Sequence, residues 1–139
     1  MHANGFGVSM DDTLALKWYQ MAADQGHAQA QCNMAVMYAN GWGVPQSDEE
    51  ALKLYILAAE AGVTEAQINV GKRYSIGLGT EQNRVVAYKW FLIASVLGDQ
   101  GAAEKRDDVA TKLTAEELAA SAQDANAWIR NHQNLLATN

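Results

Sequence analysis

The chain has 139 residues and a mass of 15.1 kDa, one domain's worth of sequence. Hydrophobic residues make up 49% and charged residues 19%, enough apolar surface to build a core, which excludes a disordered chain. The net charge of -6 with no basic block argues against nucleic acid and anionic membrane as partners, one cysteine excludes an internal disulfide framework, and no apolar run approaches the roughly 18–20 residues of a membrane span.

Residues 4–8 read NGFGV, and the glycine pair Gly5/Gly7 predicts a tight loop through positive φ angles. Asp11 is then placed to cap a helix over about 12–25, with Ala15, Leu16, Trp18, Tyr19, Ala22 and Ala23 at helical spacing and Gly26 to close it. A second helix is expected between Gly26 and Asn40, its inward stripe being Ala30, Met34, Ala35 and Tyr38.

At Asn40 the chain starts again. NGWGV at 40–44 repeats NGFGV, and aligning 4–31 on 40–67 without gaps gives 14 identities in 28 positions. Average composition would give about two, so the period of 36 is an internal repeat, the mark of a solenoid or array. The second unit carries Ser47 as cap, with Glu50 completing a capping box, a helix over about 48–61, and Gly62. The helix that follows, between Gly62 and Ile76, turns Ala66, Val70, Gly71 and Tyr74 inward. A glycine at 71 costs helix propensity of about 1 kcal/mol but allows close helix approach. IGLGT at 76–80 opens a third unit, with Asn83 as cap, a helix over about 84–97 and Gly98. Three different cap residues, Asp11, Ser47 and Asn83, share one physical role at one period.

Beyond Gly98, residues Asp99–Lys112 should supply a further helix. Thr114 and Glu117 form a second capping box, and Leu118, Ala122, Ala125 and Ile129, widened by Trp128, make the apolar stripe of a helix over about 115–136. That helix is expected to cover the last repeat and to expose Glu116, Asp124 and Arg130.

The segment 28–44, A-x-A-Q-x-N-M-A-x-M-Y-A-N-G-W-G-V, and the segment 51–62, A-L-K-L-Y-x-x-A-A-x-x-G, resemble the Sel-1-like repeat, a relative of the tetratricopeptide repeat. The resemblance covers about residues 1–103. In the third unit Thr80 and Ser95 depart from the pattern. The resemblance implies an all-α fold, an α/α right-handed superhelix of antiparallel helix pairs with a C-terminal capping helix. It also implies binding of a protein or peptide, with no catalysis and no cofactor. The whole chain, 1–139, reads as a single repeat domain: a partial first repeat over 1–26, repeats over 27–62 and 63–98, and C-terminal helices and cap over 99–139.

By the same resemblance the first helix of each repeat lines the concave face. Partner-binding residues are then Gln29, Cys32, Val36 and Asn40, with Ala39 beside them; Glu65, Ile68, Lys72 and Ser75, with Ile76; and Glu104 and Asp108, with Gly101. These positions differ between units while packing positions repeat, which separates recognition from scaffold; drift on a solvated face is the alternative. Lys72 and Arg73 form a basic pair that either holds a peptide carboxylate or faces water. Phe6 and Trp42 occupy the variable place in the Gly-x-Gly loop as loop contacts. Trp18, Trp90 and Trp128 fall on helical stripes, where packing is the expected role. Cys32 has no neighbouring His or Arg in sequence and reads as an inert small hydrophobe rather than a reactive thiol.

No catalytic residue and no metal site are expected. His2, His27 and His132 match no ligand spacing. H-E-x-x-H, G-x-S-x-G, G-x-x-x-x-G-K and S-x-x-K are absent, and the adjacent acids Asp107-Asp108 and Glu116-Glu117 point apart along a helix. A small hydrolase acting on cell-wall fragments is the weaker alternative, by loose analogy with secreted relatives. The N-terminus raises a different question. Met1–Asn4 aligns with Met37–Asn40, so the helix over 12–25 lacks its own-repeat partner and leaves Leu14, Trp18 and Met21 partly uncovered. Either the chain belongs to a longer array or the bare helix packs on a second copy, as a homodimer and self-associating module. The default compartment is the cytoplasm, with the periplasm or secretion if a signal segment precedes Met1.

Overall fold

A computed structural model describes residues 10–132. Among them are seven helices and no strand: α1 (Met10–Asp24), α2 (Ala28–Asn40), α3 (Asp48–Glu60), α4 (Thr64–Ile76), α5 (Arg84–Val96), α6 (Gln100–Ala110) and α7 (Ala115–Asn131). Each of α1 to α6 packs on its neighbour in sequence, which is the nearest-neighbour arrangement of a helical solenoid. Phe6, the Gly5/Gly7 loop, His2 and the expected end of the last helix beyond 132 lie outside the described residues.

Local signals set the helix boundaries. Ser47 accepts from the Glu50 N–H at 3.1 Å, Asn83 from Val86 at 3.2 Å and Asp99 from Ala102 at 2.8 Å. Each side-chain oxygen occupies one of the otherwise orphaned donors of a first turn. Asp11 does not belong to this series, because α1 already begins at Met10 and takes it in. The second half of the Ser47 box is also missing, because the Glu50 carboxylate accepts from Lys53 at 3.2 Å instead of reaching back. Thr114 and Glu117 form both halves of theirs.

The helix ends repeat as well. Gly62, at φ 100°, lets its own N–H reach the Ala59 carbonyl and the Val63 N–H reach Ala58, the paired bonds of a Schellman ending. His27 with Ala22 and Asp99 with Ala94 make the same long bond at the other two ends. The Gly-x-Gly loops join one unit to the next. A Cβ on Gly79 would come within 2.5 Å of the Asp48 carbonyl oxygen, and one on Gly43 within 3.0 Å of that of Asp12. Only backbone without a side chain fits over the start of the preceding unit's second helix.

Small residues let the helices approach. Ala35, Ala51, Ala58, Ala59, Ala66, Ala87 and Ala94 are fully buried, and Gly71 lies against the ring of Phe91. Larger groups fill the space between: Leu52, Tyr55, Val70, Trp90, Phe91 and Ile93. The expected inward stripes are buried except at Tyr38 and Tyr74, which are half-buried.

α7 breaks the neighbour rule by packing on α5. The Ser121 hydroxyl donates to the Val85 carbonyl at 2.7 Å, and the Trp128 ring meets Trp90 edge-on at 6.0 Å. The indole N–H of Trp128 donates to the Glu60 carboxylate of α3 at 3.1 Å, and His132 stacks on its other side at 3.9 Å. The buried stripe of α7 is Ser121, Ala125 and Trp128, with Leu118, Ala122 and Ile129 half-buried at its edges. Glu116, Asp124 and Arg130 are exposed, as the capping role requires.

Candidate interaction surface

α2, α4 and α6 each present one face that no other helix covers. On α2 it runs Gln29, Asn33, Val36, Asn40, the i, i+4, i+7, i+11 line of a helix. One unit on, it is Glu65, Asn69, Lys72 and Ile76; in α6 it continues as Gly101, Lys105 and Asp108. Gln29, Asn40, Glu65, Lys72, Ile76, Glu104 and Asp108 are exposed, and Val36, Ala39, Ile68, Ser75 and Gly101 are half-buried. Ile68 leans toward the small cluster of Ala87, Phe91 and Val109.

Cys32 is a correction. It was expected on this face, but it is fully buried in the core with Ala35, Tyr55 and Val70. The step from 29 to 32 turns inward where the step from 29 to 33 stays on the surface. Burial, with the Glu65 charge adding to it, pushes its thiol up to about 12. At neutral pH it is a protonated, inaccessible hydrophobe, the inert reading of this residue. Its apolar character could have flagged the error, and the same line would have found Asn33, Asn69 and Lys105, which sequence reasoning missed.

Lys72 and Arg73 do not form a surface pair. Lys72 is exposed, whereas Arg73 is buried, donates to Asp48 at 3.2 Å and lies 5.3 Å over the Tyr55 ring. Neighbouring positions on a helix diverge by about 100°, so one faces out and the other holds two units together.

Several polar side chains on the face bond to their own helix. Asn40 donates to the Val36 carbonyl at 2.8 Å, Asn69 to Glu65 at 2.9 Å, and Ser75 to Lys72 at 2.8 Å. Gln29 donates to Asn33 at 3.3 Å. The charges behave differently. Among the described residues Glu65, Lys72, Glu104 and Asp108 make no ion pair. Such a row of separated, unpaired charges with an exposed isoleucine can hold a polar chain of complementary charge.

The loops and tryptophans divide. Trp42 is half-buried and its equivalent Leu78 is exposed. Trp90 and Trp128 are in the core, but Trp18 is not: it is 62% exposed, and Leu14 and Met21 are exposed beside it. The packing role expected of Trp18 is therefore corrected, and the uncovered stripe expected on the same helix is present. A shallow cavity of about 240 Å³ lies between the start of α5 and the α6–α7 turn, lined by Arg84, Lys112, Glu117 and polar neighbours. It contains no nucleophile with a base beside it. Among the described residues no group of His, Cys, Asp and Glu is placed to hold a metal, and no helix is long and apolar enough to cross a membrane.

The Sel1 repeat family model matches three consecutive stretches, residues 1–27, 28–63 and 64–99. Solved structures that share the fold include the following two. One is a protective antigen of uropathogenic Escherichia coli strains displaying an SLR fold, 30% identical, with a TM-score of 0.83; the similarity covers 91% of this chain and 27% of that one. The other is a Sel1 repeat protein from Oxalobacter formigenes, 35% identical, with a TM-score of 0.66, covering 68% of this chain and 39% of that one. The chain thus spans well under half the length of either. No curated protein matches it.

Proposed function

The chain belongs to the Sel1 repeat family, whose repeats are typically protein–protein interaction modules, and on that premise we propose that it is a scaffold without catalysis of its own, holding a peptide or partner protein along the concave face of α2, α4 and α6. The observation that carries this reading is the contrast between positions one period apart. Packing positions keep their type: Ala30 and Ala66, Ala51 and Ala87, Ala58 and Ala94. Most surface positions do not: Gln29, Glu65 and Gly101; Val36, Lys72 and Asp108; Asn40 and Ile76; the exception is Asn33, which recurs as Asn69. A repeat needs its packing residues to remain stacked, whereas a binding face is free to vary with what it binds. Ser75, Glu104 and Ile68 border the same face, and Trp42 flanks it in the loop.

The charge pattern favours a partner segment with both signs of charge. Lys72 is an exposed cation two turns along α4 from Glu65, and Asp108 holds its equivalent position on α6. Rim charges of this kind act on association rate and selectivity more than on raw affinity.

Capture from a native extract on the folded chain tests this, with the double charge reversal Glu65→Lys and Lys72→Glu as the comparison bait. Both residues are exposed, so the variant should keep its helical circular dichroism and melting temperature. A partner retained by the parent chain and lost by the reversal supports the reading. Equal retention by both baits, or none above background, would sink it.

A further inference from the structure

We infer that the cleft between the start of α5 and the α6–α7 connector is a second binding site, and that its ligand is a carboxylate carried by a polypeptide, held between Arg84 and Lys112. The cleft shares no residue with the concave face, so the two readings stand or fall separately.

The cleft lies where one connector is short. Seven residues, 41–47 and 77–83, join α2 to α3 and α4 to α5, whereas four, 111–114, join α6 to α7. The two longer connectors lay Gly43 and Gly79 against the backbone of Asp12 and Asp48. At the same period the equivalent of Asp48 is Arg84, and the equivalent of Gly79 is Ala115, already the first residue of α7. The short connector carries no glycine, and a cavity of about 240 Å³ is left beside Arg84. Its walls are tied together, since the Ser121 hydroxyl of α7 donates to the Val85 carbonyl of α5 at 2.7 Å.

The charge at this place is reversed in the third unit. Asp48 opens α3 and accepts from Arg73 of α4 at 3.2 Å. One period on, the acid becomes Arg84 and the arginine becomes Val109, so the chain supplies a cation without the acid that would face it. Lys112 adds a second cation from the connector. Both are exposed, and among the described residues neither makes an ion pair. Glu117 also lines the cleft, but its carboxylate accepts from the Thr114 N–H at 2.9 Å and is committed to the α7 cap. Asn83 accepts from the Val86 N–H with its side-chain oxygen and keeps its amide NH2 as a donor. A guanidinium, an ammonium and an amide donor suit the two oxygens of a carboxylate. The net charge of -6 opposes an anion at a distance, but salt screens that field beyond about 8 Å, so the contact groups decide.

Titration of the full, isotope-labelled chain with short peptides at constant ionic strength, followed by NMR amide shifts, tests this. Acetyl-Ala-Ala-Asp-Ala-Ala-amide carries a side-chain carboxylate, acetyl-penta-alanine with a free C-terminus carries a terminal one, and acetyl-Ala-Ala-Asn-Ala-Ala-amide carries none. Saturable shifts centred on residues 82–86 and 111–117 with either carboxylate peptide, and none with the third, are the expected result; which of the two binds identifies the source of the carboxylate. Arg84→Gln should weaken binding about tenfold, the effect of losing a hydrogen bond between charged groups, and Lys112→Gln comparably. Arg84→Asp, which restores the residue of the other two units at an exposed position, should abolish binding while helical circular dichroism is kept. No saturation up to about 10 mM would overturn the proposal. So would equal shifts from the asparagine peptide, shifts that map away from the cleft, or an affinity that neither Arg84→Gln nor Lys112→Gln changes.

Discussion

Gly71 shows how a single missing side chain matters. A Cβ there would lie 2.5 Å from Cε1 of Phe91, a ring only 2% exposed and held on all sides. Gly71→Ala gains about 1 kcal/mol of helix propensity yet forces the ring into neighbours that cannot give. We expect a net loss of about 1–3 kcal/mol, read as a lowered melting temperature. Cys32 and Tyr55 make a second point about burial. The thiol ordinarily ionises at 9.0 and the phenol at 10.0, and burial pushes both up to about 12. In the unfolded chain they lose their protons earlier. The folded chain therefore binds more protons across the window from 9.0 to about 12, and stability falls as pH rises through it. Urea midpoints should drop steadily over that window, and Cys32→Ala should remove the thiol's share of the slope. At neutral pH iodoacetamide should label Cys32 only as fast as the chain opens.

Among the elements, α7 has the strongest local start signal and the least regular packing. Both halves of its capping box are made, so Thr114→Ala should cost about 1 kcal/mol, more than the same change at Ser47, where half the box is absent. Trp128 holds the far end through Trp90, Glu60 and His132. Trp128→Ala should cost about 3–5 kcal/mol and leave Trp90 in water, visible as a red shift of its emission. The sequence pattern identified α7 as a cap, with its stripe along Leu118, Ala122, Ala125 and Ile129. The buried line is rotated toward Ser121 and Trp128, because the helix is tied to α5 by a hydroxyl and an indole rather than by aliphatic contacts alone. A serine inside an apolar stripe looks like an interruption until its carbonyl partner is known.

At the level of the whole molecule, stability passes from unit to unit through adjacent helices. The loop glycines over Asp12 and Asp48 and the Arg73–Asp48 pair join units end to end. Such an array opens from its least covered end. Among the described helices α1 packs chiefly on α2 and exposes three large apolar side chains, whereas α5 is enclosed by α4, α6 and α7. Amide exchange should therefore be fastest in α1, by about tenfold or more over α4 and α5, if opening follows cover.

Helix positions, caps and turns follow from rules that act within a few residues, and the repeat stated them two or three times over. Ser47, Asn83, Gly62 and the Gly-x-Gly loops were legible for that reason, and so was the solenoid they build. Which way a helix faces its surroundings is a different kind of fact. Cys32 and Asn33 differ by one place in sequence and by about 100° in direction, and only the packed neighbours make one interior and the other surface. Arg73 was drawn inward by Asp48, a residue 25 places away. Trp18 and Trp90 are the same residue at the same place in two units. One is bare and the other covered because α5 lies between α4 and α7; the sequence placed a covering helix on the last repeat, but only the packed chain sets the Trp128 ring against Trp90.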